Sequence, residues 1–488
     1  MSATIDAMQP AILEGGDPSR AQKFKEIEDN VSLARQWTDT FGMGKYQYLR
    51  LLLPMMGCVA DGTEVMLAGL LNYAITKEGK WDFSSDKKST LASSVFIGMI
   101  IGSIGFGVLA DRIGRKPTYL LVSCCLFAVS LTTAFSSSFE MLLIMRTLTG
   151  VFMGGQLPLS STMAGEITPT ANWAFVMGLL LCCFGLGSMF AGLMGYAALD
   201  HLGWHYFLGF CSIPSFIQAV CSLRYPETPR YAECKGKTEM LSEILTQMGK
   251  ENGATDAQLN EMQEEIKLFG AVVAEREANS HQTTLSKIMM SFDLFAPSNL
   301  RLTLIYGFGW ATCSFNQYGL NLFLAEVLKR RGIESDSIYI GSVVSCSAMI
   351  PASLMVGYLV NKFGHRQVLG SSLIVSGIFA MWFSVATSHG SLRASSWLFQ
   401  FMLQISFVTM YVMTPISFTS QLRATAMGWC GGCTRSAGAL TPFIIKALIG
   451  TGTSTIFHGY LFVLACNITV CFLLLFVRQE DLKRFYQI

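Results

Sequence analysis

Apolar runs of about twenty residues follow one another along almost the whole chain, separated by short polar stretches. Each is long enough to cross roughly 30 Å of hydrocarbon as a helix. Spans are predicted over 49–75, 90–110, 118–137, 140–164, 174–198, 204–223, 301–325, 338–360, 368–388, 395–418, 425–449 and 457–477. One long polar interval, 226–299, interrupts them. Inside it Leu259, Met262, Ile266, Phe269 and Val273 recur at helical spacing between Asp256 and Glu277, which predicts surface helices. The pattern is that of an all-α membrane protein. It divides into a cytoplasmic tail (1–47), a six-helix bundle (48–225), a cytoplasmic linker (226–299), a second six-helix bundle (300–478) and a short cytoplasmic tail (479–488).

Composition narrows the class. The 488 residues are 51% hydrophobic and 14% charged, where soluble domains carry about 25% charge. A net charge of +2 gives no reason to expect a nucleic-acid partner. Most of the 14 cysteines lie inside apolar segments and read as packing residues. Cys430-Gly-Gly-Cys433 has redox spacing but sits in an apolar, glycine-rich run. His201 and His205 have metal-ligand spacing with no third ligand nearby, so neither metal nor cofactor is expected. No ATP-binding GxxxxGK[ST] loop occurs.

Basic residues set the expected orientation. Arg112, Arg115, Lys116, Lys362, Arg366, Arg423, Arg478, Lys483 and Arg484 fall on one side, taken as cytoplasmic together with both termini. Lys77, Lys80, Lys87, Lys88, Lys329, Arg330 and Arg331 fall on the other, so the bias is modest. A functional monomer in the plasma membrane is the default expectation, with an intracellular membrane as the alternative.

The two bundles match each other. GVLADRIGRK from Gly107 and GYLVNKFGHR from Gly357 are 250 residues apart, and EITPTANWAFVMG from Glu166 and ISFTSQLRATAMG from Ile416 keep the same offset. Two unrelated segments sharing one offset imply a duplicated six-helix unit, hence two pseudo-symmetric bundles. Transporters built this way bind substrate at mid-membrane between the halves.

Within the first span, CVADGTEVMLAGLL (58–71) places Asp61 and Glu64 three residues apart on one helix face. Each charged form near the membrane centre costs roughly 2.5–3.5 kcal/mol. A bound proton relieves that cost, so the pair reads as a proton-coupling site. The alternative is a packing pair hydrogen-bonded to neighbouring helices. Arg435 lies deep in the eleventh span, and its guanidinium fork suits a carboxylate substrate or a structural acidic partner. Further cavity candidates are Gln156, Asn316, Gln317, Tyr318, Asn321, Gln400, Gln404 and Tyr411, with Trp310 and Phe315 as aromatic walls.

At these residues the sequence resembles the major facilitator superfamily. GVLADRIGRKP is similar to that superfamily's loop signature between helices two and three, and RTLTG (146–150) to its fourth-helix arginine motif. ADGTEVM, GGQLPLSSTMAGEITP and PETPRY resemble the branch of metabolite–proton symporters, niacin transporters and synaptic-vesicle-like organic-ion carriers. The resemblance implies a conformational latch of Gly107, Asp111, Arg112, Gly114, Arg115, Arg146, Glu166, Arg230, Asn361 and Arg423, with Arg146 mainly structural, and a substrate-linked arginine near Arg435. The chain departs from the family where Trp173 stands for an arginine, Ile416 for an acid and Asn361 for an aspartate. The expectation is alternating-access symport of a small organic carboxylate with a proton, and no enzymatic activity. An organic-cation carrier, a sugar–proton symporter and a transporter-fold receptor are the alternatives.

Overall fold

The computed structural model describes residues 32–79, 84–279, 293–330, 335–418, 422–449 and 453–477. A short helix, α1 (Leu33–Phe41), precedes the first bundle. That bundle comprises α2 (Lys45–Glu78), α3 (Ser85–Ile113), α4 (Arg115–Thr133), α5 (Phe139–Ile167), α6 (Trp173–Ala198) and a sixth crossing made of α7 (Trp204–Cys211) and α8 (Ile213–Ser222). The linker carries α9 (Pro229–Cys234), α10 (Thr238–Asn252) and α11 (Asp256–Asn279). The second bundle comprises α12 (Pro297–Arg330), an eighth crossing made of α13 (Ser335–Ser347) and α14 (Met349–Phe363), then α15 (His365–Val385), α16 (His389–Ser417), α17 (Arg423–Ile449) and α18 (Thr453–Leu474).

Among the described residues nine crossings are long and apolar enough to span a membrane. The other three, α7–α8, α12 and α17, pack among them, α12 against α17 and α7–α8 against α2 and α4. Two crossings that the hydrophobic pattern draws as single helices are broken. Proline has no N–H and disfavours helical geometry just before it. Pro214 is the second residue of α8, two after the break at Ser212, and Pro351 follows the break at Ala348 by three residues.

The 250-residue offset holds far beyond the two motifs that announce it. Shifted by 250, α3 starts where α13 starts and ends where α14 ends, and α5 coincides with α16 at both ends. Ser138 and Ser388 cap α5 and α16 alike, accepting the backbone N–H of Met141 and Ser391. Gly114 (φ 114°) and Gly364 (φ 84°) turn the chain into α4 and α15 through positive φ, which a side chain would strain. The side of the molecule that carries these two turns is called the turn face below.

What holds the two turns differs. In the first copy the Glu227 carboxylate accepts the N–H groups of Arg115 (3.1 Å), Lys116 (3.2 Å) and Thr228 (3.0 Å), filling the unsatisfied start of α4. In the second copy the matching position, Val477, offers its backbone carbonyl to Arg366 Nη1 at 3.0 Å. Glu227→Ala is therefore expected to lower unfolding free energy by about 1–2 kcal/mol, the scale of a lost helix cap. Thermal unfolding in detergent with no shift in midpoint would refute that role.

Small residues bring the helices within a bundle into backbone contact. A Cβ on Gly102 would lie 1.7 Å from the Val151 carbonyl, so α3 and α5 could not approach as they do with any side chain there. The neighbouring Gly105 faces open space and carries no such constraint.

The bundles meet along two seams. In one, Ser93 Oγ of α3 donates to the Ala439 carbonyl of α17 at 2.7 Å, Phe96 packs on Gly438, and Asp86 pairs with Lys446 at the far end. In the other, α6 runs along α13 and α14, with Gly192 against Val343 and Gly185 against Met349. A Cβ at Gly107, Gly428 or Gly432 would meet nothing within 4 Å, and Asp111 is exposed.

Candidate central site and its latch

The charges predicted inside the spans fall into two sets. Glu64, 1% exposed, lies 2.6 Å from Nη1 of Arg146, which is equally buried. Ser130 Oγ donates to its other oxygen at 2.6 Å. Arg146 Nη2 also donates to the Glu64 backbone carbonyl at 3.4 Å. This set is satisfied within the first bundle. Glu64 is paired with an arginine 82 positions away and also acts electrostatically on Asp61. The pairing places Arg146 in the bundle core, away from the turn-face groups with which the motif grouped it.

Asp61 differs. It is 2% exposed, and neither carboxylate oxygen has a hydrogen-bond partner among the described residues. The charged groups acting on it are Arg435 and Glu64. Arg435, 7% exposed, stands on α17 in the other bundle. Its Nη1 donates to the Gly431 carbonyl (3.0 Å) and its Nη2 to the Gly154 carbonyl of α5 (3.2 Å), while its Nε has no partner. The Gly154 carbonyl is available because position 158 is proline, which lacks the N–H that would close the helical bond. A proline in the first bundle thus prepares an acceptor for an arginine of the second.

Tyr318 and Tyr411 complete this group, each within electrostatic reach of both Arg435 and Asp61. Trp310 stacks edge-on against Tyr411, with centroids 4.6 Å apart, and is anchored by its Nε1–H to Thr414 at 2.8 Å. Tyr318 meets Phe96 edge-on at 4.5 Å. Gln156 donates to the Gly57 carbonyl at 2.8 Å and keeps its Oε1 unpartnered. Both amide atoms of Gln317 and of Gln400 are buried without partners.

Other predicted cavity residues find partners within the second bundle. Asn316 donates to Asn467 Oδ1 at 2.7 Å, and Gln404 to Ser353 Oγ at 2.9 Å, both inside the second bundle. Phe315 packs against Phe462. The side chains of Asn321 and Arg423 lie outside the described residues.

At the turn face Arg115 pairs with Glu166 (3.3 Å) and with Asp111 (3.2 Å), and lies over the Tyr231 ring. The Arg112 carbonyl accepts Tyr231 Oη at 3.4 Å, and Arg230 adds its charge beside Glu166. These pairs run within the first bundle. Trp173 lays its ring on Gly165. Arg35 of α1 arrives at the same loop, donating to the Gly165 carbonyl (2.8 Å) and to Thr170 Oγ1 (3.0 Å). Asp39 accepts from the Thr170 N–H and hydroxyl at 2.6 and 2.7 Å. Burial holds the Arg35 guanidinium below its usual pKa. In the second copy Asn361 is exposed in the last turn of α14.

Several of these partners were invisible in the sequence reading. Ser130, Glu227 and Arg35 reach their sites only through contacts across more than 60 positions. PETPRY was the one local signal pointing near Glu227.

The family model for sugar (and other) transporters matches residues 55–488. The chain belongs to that family, within the major facilitator superfamily. The transporter is 23% identical over 407 residues to the niacin transporter NiaP of Acinetobacter baylyi, covering 83% of this chain and 88% of that one. It is 22% identical to the synaptic vesicle 2-related protein of Bos taurus (88% and 78% covered) and 24% identical to organic cation/carnitine transporter 7 of Arabidopsis thaliana (84% and 87%). The partially occluded inward-open xylose transporter XylE of E. coli superimposes with a TM-score of 0.71 at 15% identity, over 89% of this chain and 98% of that one. That likeness supports the fold of this transporter, two six-helix bundles.

Proposed function

We propose that this transporter moves a small organic carboxylate together with a proton by alternating access. The observation that carries the reading is the pair of groups left unsatisfied between the bundles, Asp61 from one and Arg435 from the other. Arg435 presents a guanidinium edge suited to a carboxylate. A buried carboxylate with no partner is held most cheaply as its neutral acid, so Asp61 is the proton site and Glu64, already paired, tunes it. Gln156, Gln317, Tyr318 and Tyr411 are the neutral groups that orient the solute. The turn face is read as cytoplasmic, with Arg115, Glu166, Asp111 and Arg230 holding the first bundle's turn together there. Expression in a plasma or an intracellular membrane is compatible with the relatives' range.

The test is flux in proteoliposomes loaded with a pH-sensitive dye, using nicotinate and 3-methylbenzoate as probes. Acidification of the lumen on adding either anion is expected, reduced at least about tenfold in Arg435→Gln, the scale of one lost charge-assisted contact. Wild-type flux without proton movement overturns symport. Undiminished flux in Arg435→Gln overturns the carboxylate assignment. The second reading, an organic-cation carrier, is favoured by the same unpartnered Asp61 and predicts inhibition by amines instead.

A further inference from the structure

Resting on the carboxylate reading above, we propose that Asp61 and Arg435 hold the two ends of a zwitterion, and that the positive end of such a substrate takes the place of the coupled proton. The site's charges lead there. Glu64 and Arg146 neutralise each other through direct contact. Asp61 and Arg435 balance in number but do not bond to each other: both Asp61 oxygens are unpartnered, and the terminal nitrogens of Arg435 donate to the Gly431 and Gly154 carbonyls. What remains is a carboxylate with two unused oxygens and a guanidinium whose Nε–H has no partner, both buried, on opposite bundles.

Three kinds of solute meet this arrangement differently. A simple anion on Arg435 leaves one negative charge in excess, which a proton on Asp61 must cancel in a site this dry. A simple cation on Asp61 leaves Arg435 in excess. A carboxylate that carries a fixed positive charge satisfies both ends with no proton. Tyr318 and Tyr411, within electrostatic reach of both charges, bring aromatic rings to the site, and such rings attract a quaternary ammonium or pyridinium group. The consequence is conditional coupling: anions travel with a proton and zwitterions travel without one.

Isosteric pairs that exchange one carbon for a positively charged nitrogen test this directly. We would measure binding by calorimetry to the full-length protein in detergent, with no gradient present. The pairs are trimethylammonioacetate with 3,3-dimethylbutyrate, N-methylpyridinium-3-carboxylate with 3-methylbenzoate, and 4-trimethylammoniobutyrate with 5,5-dimethylhexanoate. At pH 8 the zwitterion of at least one pair should bind about tenfold tighter than its anion, one charge-assisted contact's worth. At pH 5.5 the gap should narrow as the anion gains a protonated Asp61. Asp61→Asn should erase the gap at both pH values, Asp61→Glu should keep it, and Arg435→Gln should weaken both members of a pair. Equal or weaker zwitterion binding in every pair at pH 8, a gap that survives Asp61→Asn, or no binding by any member overturns the proposal. Failure of the symport reading shows up separately, as anion flux in liposomes without proton movement while the zwitterion preference persists.

Discussion

Asp61→Asn should abolish uphill uptake of an anionic substrate while leaving its exchange across the membrane intact. A one-to-one symporter facing a pH difference of two units can accumulate substrate up to about 100-fold, since each unit is a factor of ten in proton activity. Asparagine mimics the protonated carboxyl in shape and neutrality, so Arg435 can still receive the anion. It cannot release the proton, so the gradient no longer biases the return of the empty carrier. Accumulation of labelled 3-methylbenzoate should fall to equilibration, while counterflow of the same compound should lose its pH dependence. Retained accumulation above equilibrium in this variant would move the proton site elsewhere in the bundle.

The second large effect concerns stability. Arg146→Met leaves Glu64 buried beside Ser130 with no counter-charge, and removing one partner of a buried pair costs about 3–5 kcal/mol. The thermal midpoint in detergent should drop sharply. The double variant Arg146→Met, Glu64→Leu should recover most of the loss, because an apolar replacement of a whole buried pair is close to neutral. If the double variant is as unstable as the single, the penalty comes from lost arginine packing and not from the stranded carboxylate.

Much of the fold could be read from the chain because membrane helices must bury their backbone polar groups internally, which ties span to hydrophobic length. The duplicated register was equally visible. The breaks at Ser212 and Ala348 were not, because proline inside a span does not by itself end a helix: Pro54, Pro158, Pro415 and Pro442 all sit within continuous ones. At the site, Asp61 and Arg435 stood out as charges with no local reason to be buried. The sequence offers no means of deciding which polar residue faces the centre. Asn316 and Gln317 are neighbours, yet one bonds to Asn467 and the other has no partner. Likewise, spacing alone put Glu64 with Asp61, while the chain's path put it against Arg146.

The two copies share a register but not their chemistry. Shifted by 250 residues, Arg146 meets Ser396, Arg435 meets Gly185, and Glu166 meets Ile416. A carrier made of identical halves would present the same energy from either face, and its empty form would wait on both sides equally. Here the polar contacts of the two ends differ, with Asp86–Lys446 binding the far end and Arg115–Glu166 stiffening the turn face, so a frame that rocks by alternating access would pass between unequal shapes. Such inequality cannot set the direction of net flow, which belongs to the gradients. It does set where the unloaded protein rests, and therefore which side of the membrane sees a binding site ready for its first substrate.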